Sequence, residues 1–165
     1  MTQKSRPESS PPGKRGFEDL RFYQDALELV RLSYALARKM PPEERYNMAD
    51  QLRRASTSVT NNIAEGYGRF HFTDRLRFLY IARGSLEETL NIFITAHTVG
   101  YCEQMEVDDA RQLVHSINRG LNGYIAYIRK QRQGADLFGP TALREDDPVY
   151  FSDTGDLSPS DNEPG

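Results

Sequence analysis

The sequence predicts an all-α protein, an antiparallel up-down-up-down four-helix bundle. Apolar residues recur at spacings of three and four along four long segments, and no segment alternates in the way that a strand does. Proline or glycine separates each of these segments from the next. Because short connections between long helices favour antiparallel neighbours, a four-helix bundle is the expected arrangement.

The first helix begins near Leu20 and carries two apolar stripes side by side, which is more than one neighbouring helix covers. One stripe is Leu20, Tyr23, Leu27, Val30, Tyr34 and Ala37, and the other is Phe22, Ala26, Leu29, Ser33, Leu36 and Met40. Pro41 and Pro42 end the helix, and Pro42-Glu43-Glu44 suits the first turn of the second helix.

The second helix is expected to run to about Ala64, where Gly66-Tyr67-Gly68 breaks it. Its inward face is Met48, Leu52, Ala55, Val59 and Ile63.

The third helix is expected to start after Thr73, whose hydroxyl can cap it, and to run to about Val99 before Gly100. It also carries two stripes, and Arg83 falls on the first of them. The stripes are Phe72, Leu76, Leu79, Leu86, Leu90 and Phe93, and then Phe78, Ala82, Ser85, Thr89, Ile92, Ala96 and Val99.

The fourth helix, from about Val107 to Arg132, has the clearest register. Its apolar positions are Val107, Ala110, Val114, Ile117, Leu121, Tyr124 and Ile128. Gly120 and Gly123 within it predict that another helix approaches closely.

Charge divides the 165 residues, of net charge −3, into three regions. Residues 1–16 carry +3, residues 17–133 carry +1, and residues 134–165 carry −7. Both flanks are rich in Pro, Ser and Gly, and the second also in Asp, so we predict a disordered basic arm at 1–16 and a disordered acidic tail at 134–165 around the bundle. Val149, Tyr150 and Phe151 interrupt the tail, either as a random cluster or as a docking segment.

Several segments resemble the bacterial four-helix-bundle proteins encoded by intervening sequences of large-subunit ribosomal RNA genes, a family similar to the accessory variability determinant of diversity-generating retroelements. The segments that carry the resemblance are Phe17–Leu20, Glu43–Tyr46, Gln51–Ala55, Asn61–Arg69 and Arg77–Leu86. The resemblance implies a homopentameric barrel of bundles and, for the retroelement branch, binding to RNA and to a reverse transcriptase. It implies no known enzymatic activity.

Basic residues between positions 53 and 83 outnumber acidic ones, which suits contact with phosphate oxygens. The predicted nucleic-acid-binding residues are Arg53, Arg54, Arg69, His71, Arg75 and Arg77. The interleaved aromatics Tyr67, Phe70 and Phe72 offer rings on which unpaired bases can stack. The alternative is that the arginines only solvate helix faces and the aromatics belong to the core.

Four further residues are expected to be structural. Gly66 takes part in the helix break, and Asn62 is expected to satisfy backbone groups of the loop. Glu65 is expected to pair with Arg53, Arg54 or Arg69. Arg83 either extends to solvent, pairs with Glu87 or faces another subunit, and an interface or ion-pair role is favoured.

The sequence offers little chemistry for an enzyme. His71, His97 and His115 have no partner at ligand spacing, so no metal and no cofactor are expected. Cys102 is expected to be a passive, partly exposed thiol, and a lone cysteine excludes an intramolecular disulfide scaffold. No segment reads as a signal peptide or membrane span, which predicts a cytoplasmic protein with no membrane partner.

Two functions from different classes remain open. The first is a non-enzymatic homo-oligomer, a pentamer if the resemblance holds, that binds structured RNA through arginine-rich faces, with or without a reverse transcriptase. The second is a homo-oligomeric scaffold for a protein partner without direct nucleic-acid binding. A third possibility joins them, in which the acidic tail lies on the basic face and competes with RNA.

Overall fold

The computed structural model describes residues 16–138, with side chains for residues 16–132. This part of the chain forms four α-helices and no strand. The helices are α1 (Arg21–Lys39), α2 (Met48–Gly68), α3 (Phe72–Thr98) and α4 (Gln104–Phe138). The predicted all-α fold with four helices is confirmed. Residues 1–15 of the predicted arm 1–16 lie outside the described residues, and Gly16 begins a 3₁₀ turn that ends at Asp19. The tail beyond residue 138, including Val149, Tyr150 and Phe151, also lies outside them, and α4 covers the first five residues assigned to the tail.

The four helices form a ring in which α1 and α3 each pack against both α2 and α4. Contacts between individual residues show that neighbouring helices are antiparallel. The hydroxyls of Ser58 in α2 and Ser85 in α3 lie 2.8 Å apart. Lys39, the last residue of α1, donates a hydrogen bond of 2.7 Å to Glu106 in the first turn of α4. The start of α1, the end of α2, the start of α3 and the end of α4 therefore meet at one end of the bundle.

The core is built mainly from the apolar positions that the periodicity identified. All seven register positions of α4, from Val107 to Ile128, are buried. In α1 the stripe from Phe22 to Met40 faces the core, whereas Leu27 and Tyr34 of the second stripe are 42% and 38% exposed. Because α3 likewise leaves Ile81 and Ile94 about 40% exposed, both helices carry apolar side chains on the surface of the single chain.

The expected break of α2 is wrong, because the helix continues through Gly66 and Gly68 and ends where Arg69 turns to an extended conformation with ψ 136°. Gly66 instead permits close packing against α3. A Cβ at this position would lie 3.2 Å from the carbonyl oxygen of Arg75 and 3.3 Å from the Cβ of Phe78. The absence of a side chain at Gly66 therefore lets α2 and α3 approach closely at this point.

Two predicted helix starts also differ from the structure. Pro42–Glu44 forms a separate 3₁₀ turn, and α2 begins only at Met48, whose backbone N–H donates to the Glu44 carboxylate at 3.2 Å. Thr73 is not a cap, since α3 begins at Phe72 and the side chain at its capping position, His71, makes no capping hydrogen bond.

The two glycines of α4 differ in their surroundings. A Cβ on Gly120 would lie 2.5 Å from the Cβ of Phe22, which confirms the predicted close approach of another helix, α1. A Cβ on Gly123 would meet no atom within 4 Å, so the same prediction is wrong there.

Among residues 16–138, no helix combines the length and apolar character that crossing a bilayer requires.

Candidate nucleic-acid interface

The predicted basic residues fall into two groups on the structure. Arg53 and Arg54 lie near the start of α2, and Arg69 follows its end. Sixteen residues of helix separate Arg53 from Arg69, a rise of roughly 24 Å along the axis. The two groups therefore lie toward opposite ends of the bundle and do not form one patch.

The first group is partly occupied by local pairing. Arg54 forms an ion pair with Asp50 one turn earlier, at 3.2 Å, and Arg53 is half-buried. Such exposed pairs hold their charges weakly, so Arg54 stays accessible to other anions.

In the second group, Arg69 is held on the surface at the end of the bundle where α2 ends. It pairs with Glu65, as one of the predicted alternatives proposed, and its guanidinium carbon lies 4.8 Å from the centre of the Phe78 ring. Phe70 is 90% exposed, and the centre of its ring lies 5.3 Å from that of His71.

Arg75 turns inward and bonds to the core rather than extending to solvent. Its Nη2 donates a hydrogen bond of 2.6 Å to the hydroxyl of Tyr124 in α4. Its Nε is buried and has no hydrogen-bond partner among the described residues. Burial raises the pKa of Tyr124, and the nearby Arg75 guanidinium partly opposes that rise. Arg75 therefore belongs to the packing of α3 against α4.

Arg77, Tyr80, Ile81, Arg83 and Arg129 form a continuous exposed region of α3 and α4 that we name the Arg–Tyr surface. The guanidinium carbons of Arg83 and Arg129 lie 6.0 Å and 5.9 Å from the centre of the Tyr80 ring. Arg129 also donates a hydrogen bond to the Tyr80 hydroxyl. A shallow groove lined by Thr73, Leu76, Arg77, Tyr80 and Ile81 runs along the same region.

The two chain segments that contribute the Arg–Tyr surface contain more basic than acidic residues, although Arg69 is paired with Glu65 and Arg75 turns inward. Residues 69–83 contain four arginines and one acid, Asp74, while residues 124–132 contain three basic residues and no acid. Glu87, the nearest further acid along α3, accepts a hydrogen bond of 2.8 Å from Asn118. Arg83 forms no ion pair with Glu87 among the described residues and is exposed, so of the two favoured roles the pair with Glu87 is wrong and a contact with another subunit stays a prediction.

Asn62 is structural, but not in the way expected from the sequence. Its amide donates to the carbonyl oxygen of Ser58 at 2.7 Å and to the Ser58 hydroxyl at 3.1 Å. Since Ser58 in turn bonds to Ser85, the three residues make a polar contact between α2 and α3 rather than a contact with the loop.

Sequence reasoning missed Tyr80, Ile81 and Arg129 as members of this surface. Tyr80 lies three residues after Arg77 and three before Arg83, a spacing that places all three side chains on neighbouring turns of one helix. That signal was present in the sequence. Arg129 is distant along the chain and joins the surface only through the packing of α3 against α4.

The described residues offer no group of three or more His, Cys, Asp or Glu side chains that could hold a metal ion. Cys102 is buried, contrary to the expectation of partial exposure, because within the connection between α3 and α4 its thiol turns inward and lies 3.6 Å from the carbonyl oxygen of Phe93. Its carbonyl oxygen lies 2.9 Å from Nδ1 of His97. Burial raises the pKa of the Cys102 thiol above its usual 9.0, and the Glu106 carboxylate adds to the rise.

These features define an all-helical bundle with a basic, aromatic outer surface. The family model of the 23S rRNA-intervening sequence protein matches residues 18–123, and the chain belongs to this family. A solved structure from Bacteroides thetaiotaomicron, described as a protein of unknown function from the S23 ribosomal protein family, aligns with a TM-score of 0.58. The two chains share 22% identity, and the alignment covers 64% of this chain and 95% of the other, which shows a common fold. A comparison with curated proteins finds no match.

Proposed function

We propose that the protein is a non-enzymatic RNA-binding accessory protein. Its Arg–Tyr surface contacts the unpaired bases of a structured RNA. The observation that carries the proposal is the position of Tyr80, a 40% exposed ring with the guanidinium carbons of Arg83 and Arg129 each about 6 Å from its centre. Tyrosine rings and guanidinium planes are both surfaces on which unpaired bases stack.

Arg77 and the two flanking arginines supply the second requirement, which is charge for the phosphate backbone. Planar guanidinium forks fit phosphate oxygens with paired hydrogen bonds, and each neutralised phosphate releases counterions. Stacking on one aromatic ring contributes about 1–3 kcal/mol per base, so Tyr80 with its arginines suffices for a moderate site. Nothing in the surface reads a particular base, and binding is expected to follow RNA shape and strand state.

The family supports RNA as the class of ligand, since its members are named for an insertion in 23S ribosomal RNA. We extend the proposal to a homo-oligomer, with a pentamer expected from the resemblance to the retroelement accessory proteins. The exposed apolar residues Leu27 and Tyr34 on α1 supply a face for subunit packing. An oligomer would repeat the Arg–Tyr surface and raise the overall affinity through avidity. A reverse transcriptase as a further partner rests on the resemblance alone.

The test is fluorescence anisotropy of a labelled RNA hairpin with a single-stranded loop. Arg83→Glu/Arg129→Glu removes two cations beside Tyr80, and Arg38→Glu/Arg45→Glu makes the same change in net charge at the opposite end of the bundle, where both residues are exposed. We expect the first pair to weaken binding by about tenfold or more and the second pair to change it by far less.

Equal losses in the two double variants would mean that only net charge matters and would contradict a localised surface. A fully paired RNA duplex serves as a second ligand, because it offers no unpaired base to stack, and it is expected to bind more weakly than the hairpin. Absence of binding to either RNA by the unaltered protein would favour the protein-scaffold alternative.

A further inference from the structure

We propose that the acidic segment Glu145–Asp153 of the same chain docks on the Arg–Tyr surface and so occupies it when no other ligand is bound. The segment combines four acids with the apolar group Val149, Tyr150 and Phe151. The surface combines three arginines with an apolar groove. The acids of the segment thus match the arginines of the surface, and its apolar group matches the apolar groove.

The acids stand on both sides of the apolar group in the sequence. Glu145, Asp146 and Asp147 precede it, and Asp153 follows it two residues after Phe151. On the bundle, Leu76, Tyr80 and Ile81 line the groove, with Arg77 beside them and Arg83 and Arg129 around the Tyr80 ring. An extended segment laid along the groove would place its apolar group on the apolar residues and its acids near the guanidiniums.

The chain is long enough to make this contact within one molecule. Arg129 contacts Tyr80, and α4 continues from there to Phe138, nine residues that rise roughly 14 Å. The ten residues 139–148 can span up to roughly 33 Å when extended. The segment can therefore return to the level of Tyr80 from the end of α4.

Because the segment and the surface belong to one chain, even a weak contact between them is populated. A segment tethered to its own docking surface through a short linker experiences an effective concentration on the order of millimolar there. The opposite net charges of the two parts also favour contact within one chain, since residues 17–133 carry +1 and residues 134–165 carry −7. Any anionic ligand of the Arg–Tyr surface would have to displace the segment.

The test uses the full chain and needs no RNA. The sequence contains no tryptophan, so Phe151→Trp introduces a single fluorescent reporter into the segment. Docking predicts an emission maximum at shorter wavelength than that of the same protein in urea, together with weaker quenching by acrylamide. Arg83→Glu/Arg129→Glu should return both signals to those of an exposed tryptophan, and Arg38→Glu/Arg45→Glu should leave them unchanged.

A second variant changes only the segment, so loss of its signal cannot be caused by unfolding of the bundle. Asp146→Lys/Asp147→Lys should also release the reporter, and combining it with Arg83→Glu/Arg129→Glu should restore part of the shift. Emission identical to that in urea, or a shift that survives both charge reversals, would overturn the proposal. A shift that disappears on dilution would assign the contact to the tail of another copy and would overturn docking within one chain.

The same variants separate this inference from the proposed RNA binding. If the segment docks and RNA binds, deletion of residues 139–165 should raise the affinity for the RNA hairpin. If RNA does not bind, the fluorescence result stands by itself.

Discussion

Arg75 and Tyr124 join α3 to α4 through a 2.6 Å hydrogen bond at the end of the bundle where the Arg–Tyr surface lies. The bond takes Arg75 out of the basic cluster that the sequence indicates. Arg77, two residues further along the helix, is exposed. Two arginines that look equivalent in the sequence therefore have different roles, one in packing and one at the surface.

Tyr124→Phe should lower the free energy of unfolding by about 1–3 kcal/mol, because it leaves the partly buried Arg75 guanidinium without its acceptor. Arg77→Ala should change stability by less than about 0.5 kcal/mol, as expected of an exposed residue, and weaken RNA binding. Urea unfolding followed by circular dichroism and the anisotropy titration measure the two effects. Loss of RNA affinity without loss of stability in Tyr124→Phe would contradict the packing role.

Gly120 and Gly123 offer a matched pair for the packing of α1 against α4. Gly120→Ala should destabilise the bundle by about 1–3 kcal/mol, since its Cβ would come within 2.5 Å of Phe22 and force α1 to move. Gly123→Ala has open space and should stabilise the helix by up to about 1 kcal/mol. The midpoints of urea denaturation compare the two, and equal effects of the same sign would refute this account of the interface.

Cys102 should react slowly with a thiol reagent in the folded protein. The side chain is only 8% exposed, and its raised pKa keeps the thiolate fraction low near neutral pH. Labelling with Ellman's reagent should therefore be slow under native conditions and rapid in urea. Rapid native labelling would show that the connection between α3 and α4 opens readily.

The ion pair between Lys39 and Glu106 should make a pH-dependent contribution to stability. Burial alone would raise the pKa of Glu106, but hydrogen bonds from Lys39 and from the backbone N–H of Glu103 hold it below its usual 4.5. A carboxyl group with a lowered folded pKa stabilises the protein above its unfolded pKa. The contribution is then lost as pH falls from about 4.5 through the folded pKa.

Glu106→Gln should thus be less stable than the unaltered protein near neutral pH, and the difference should shrink in acid. Thermal unfolding followed by circular dichroism at several pH values measures it. A gap that stays constant down to pH values well below 4.5 would mean that the carboxylate charge contributes nothing.

The sequence predicts the helices well because their apolar periodicity is strong. The α4 register is correct throughout, since a helix packed against two neighbours repeats its buried positions regularly. The ends are harder to predict: Gly66 looks like a break, yet it lies inside α2, where close packing against Phe78 is a second reason for a glycine. That second cause becomes visible only when α3 is in place.

The candidate surface is predictable only in part for a related reason. Arg77 and Arg83 belong to one helix, and their spacing in the sequence brings Tyr80 between them. Arg129 lies on another helix, and the inward turn of Arg75 depends on Tyr124, which is also on α4. Tertiary contacts between α3 and α4 thus decide which arginines face solvent.

The salt dependence of RNA-hairpin binding by the unaltered full-length protein tests the central claim most directly. Between about 50 and 200 mM salt, phosphate contacts predict that the logarithm of the association constant falls linearly with the logarithm of salt concentration. We expect saturable binding with such a slope, and a shallower slope in Arg83→Glu/Arg129→Glu. Flat anisotropy at the lowest salt, both in the full chain and after removal of residues 139–165, would contradict RNA binding by this protein.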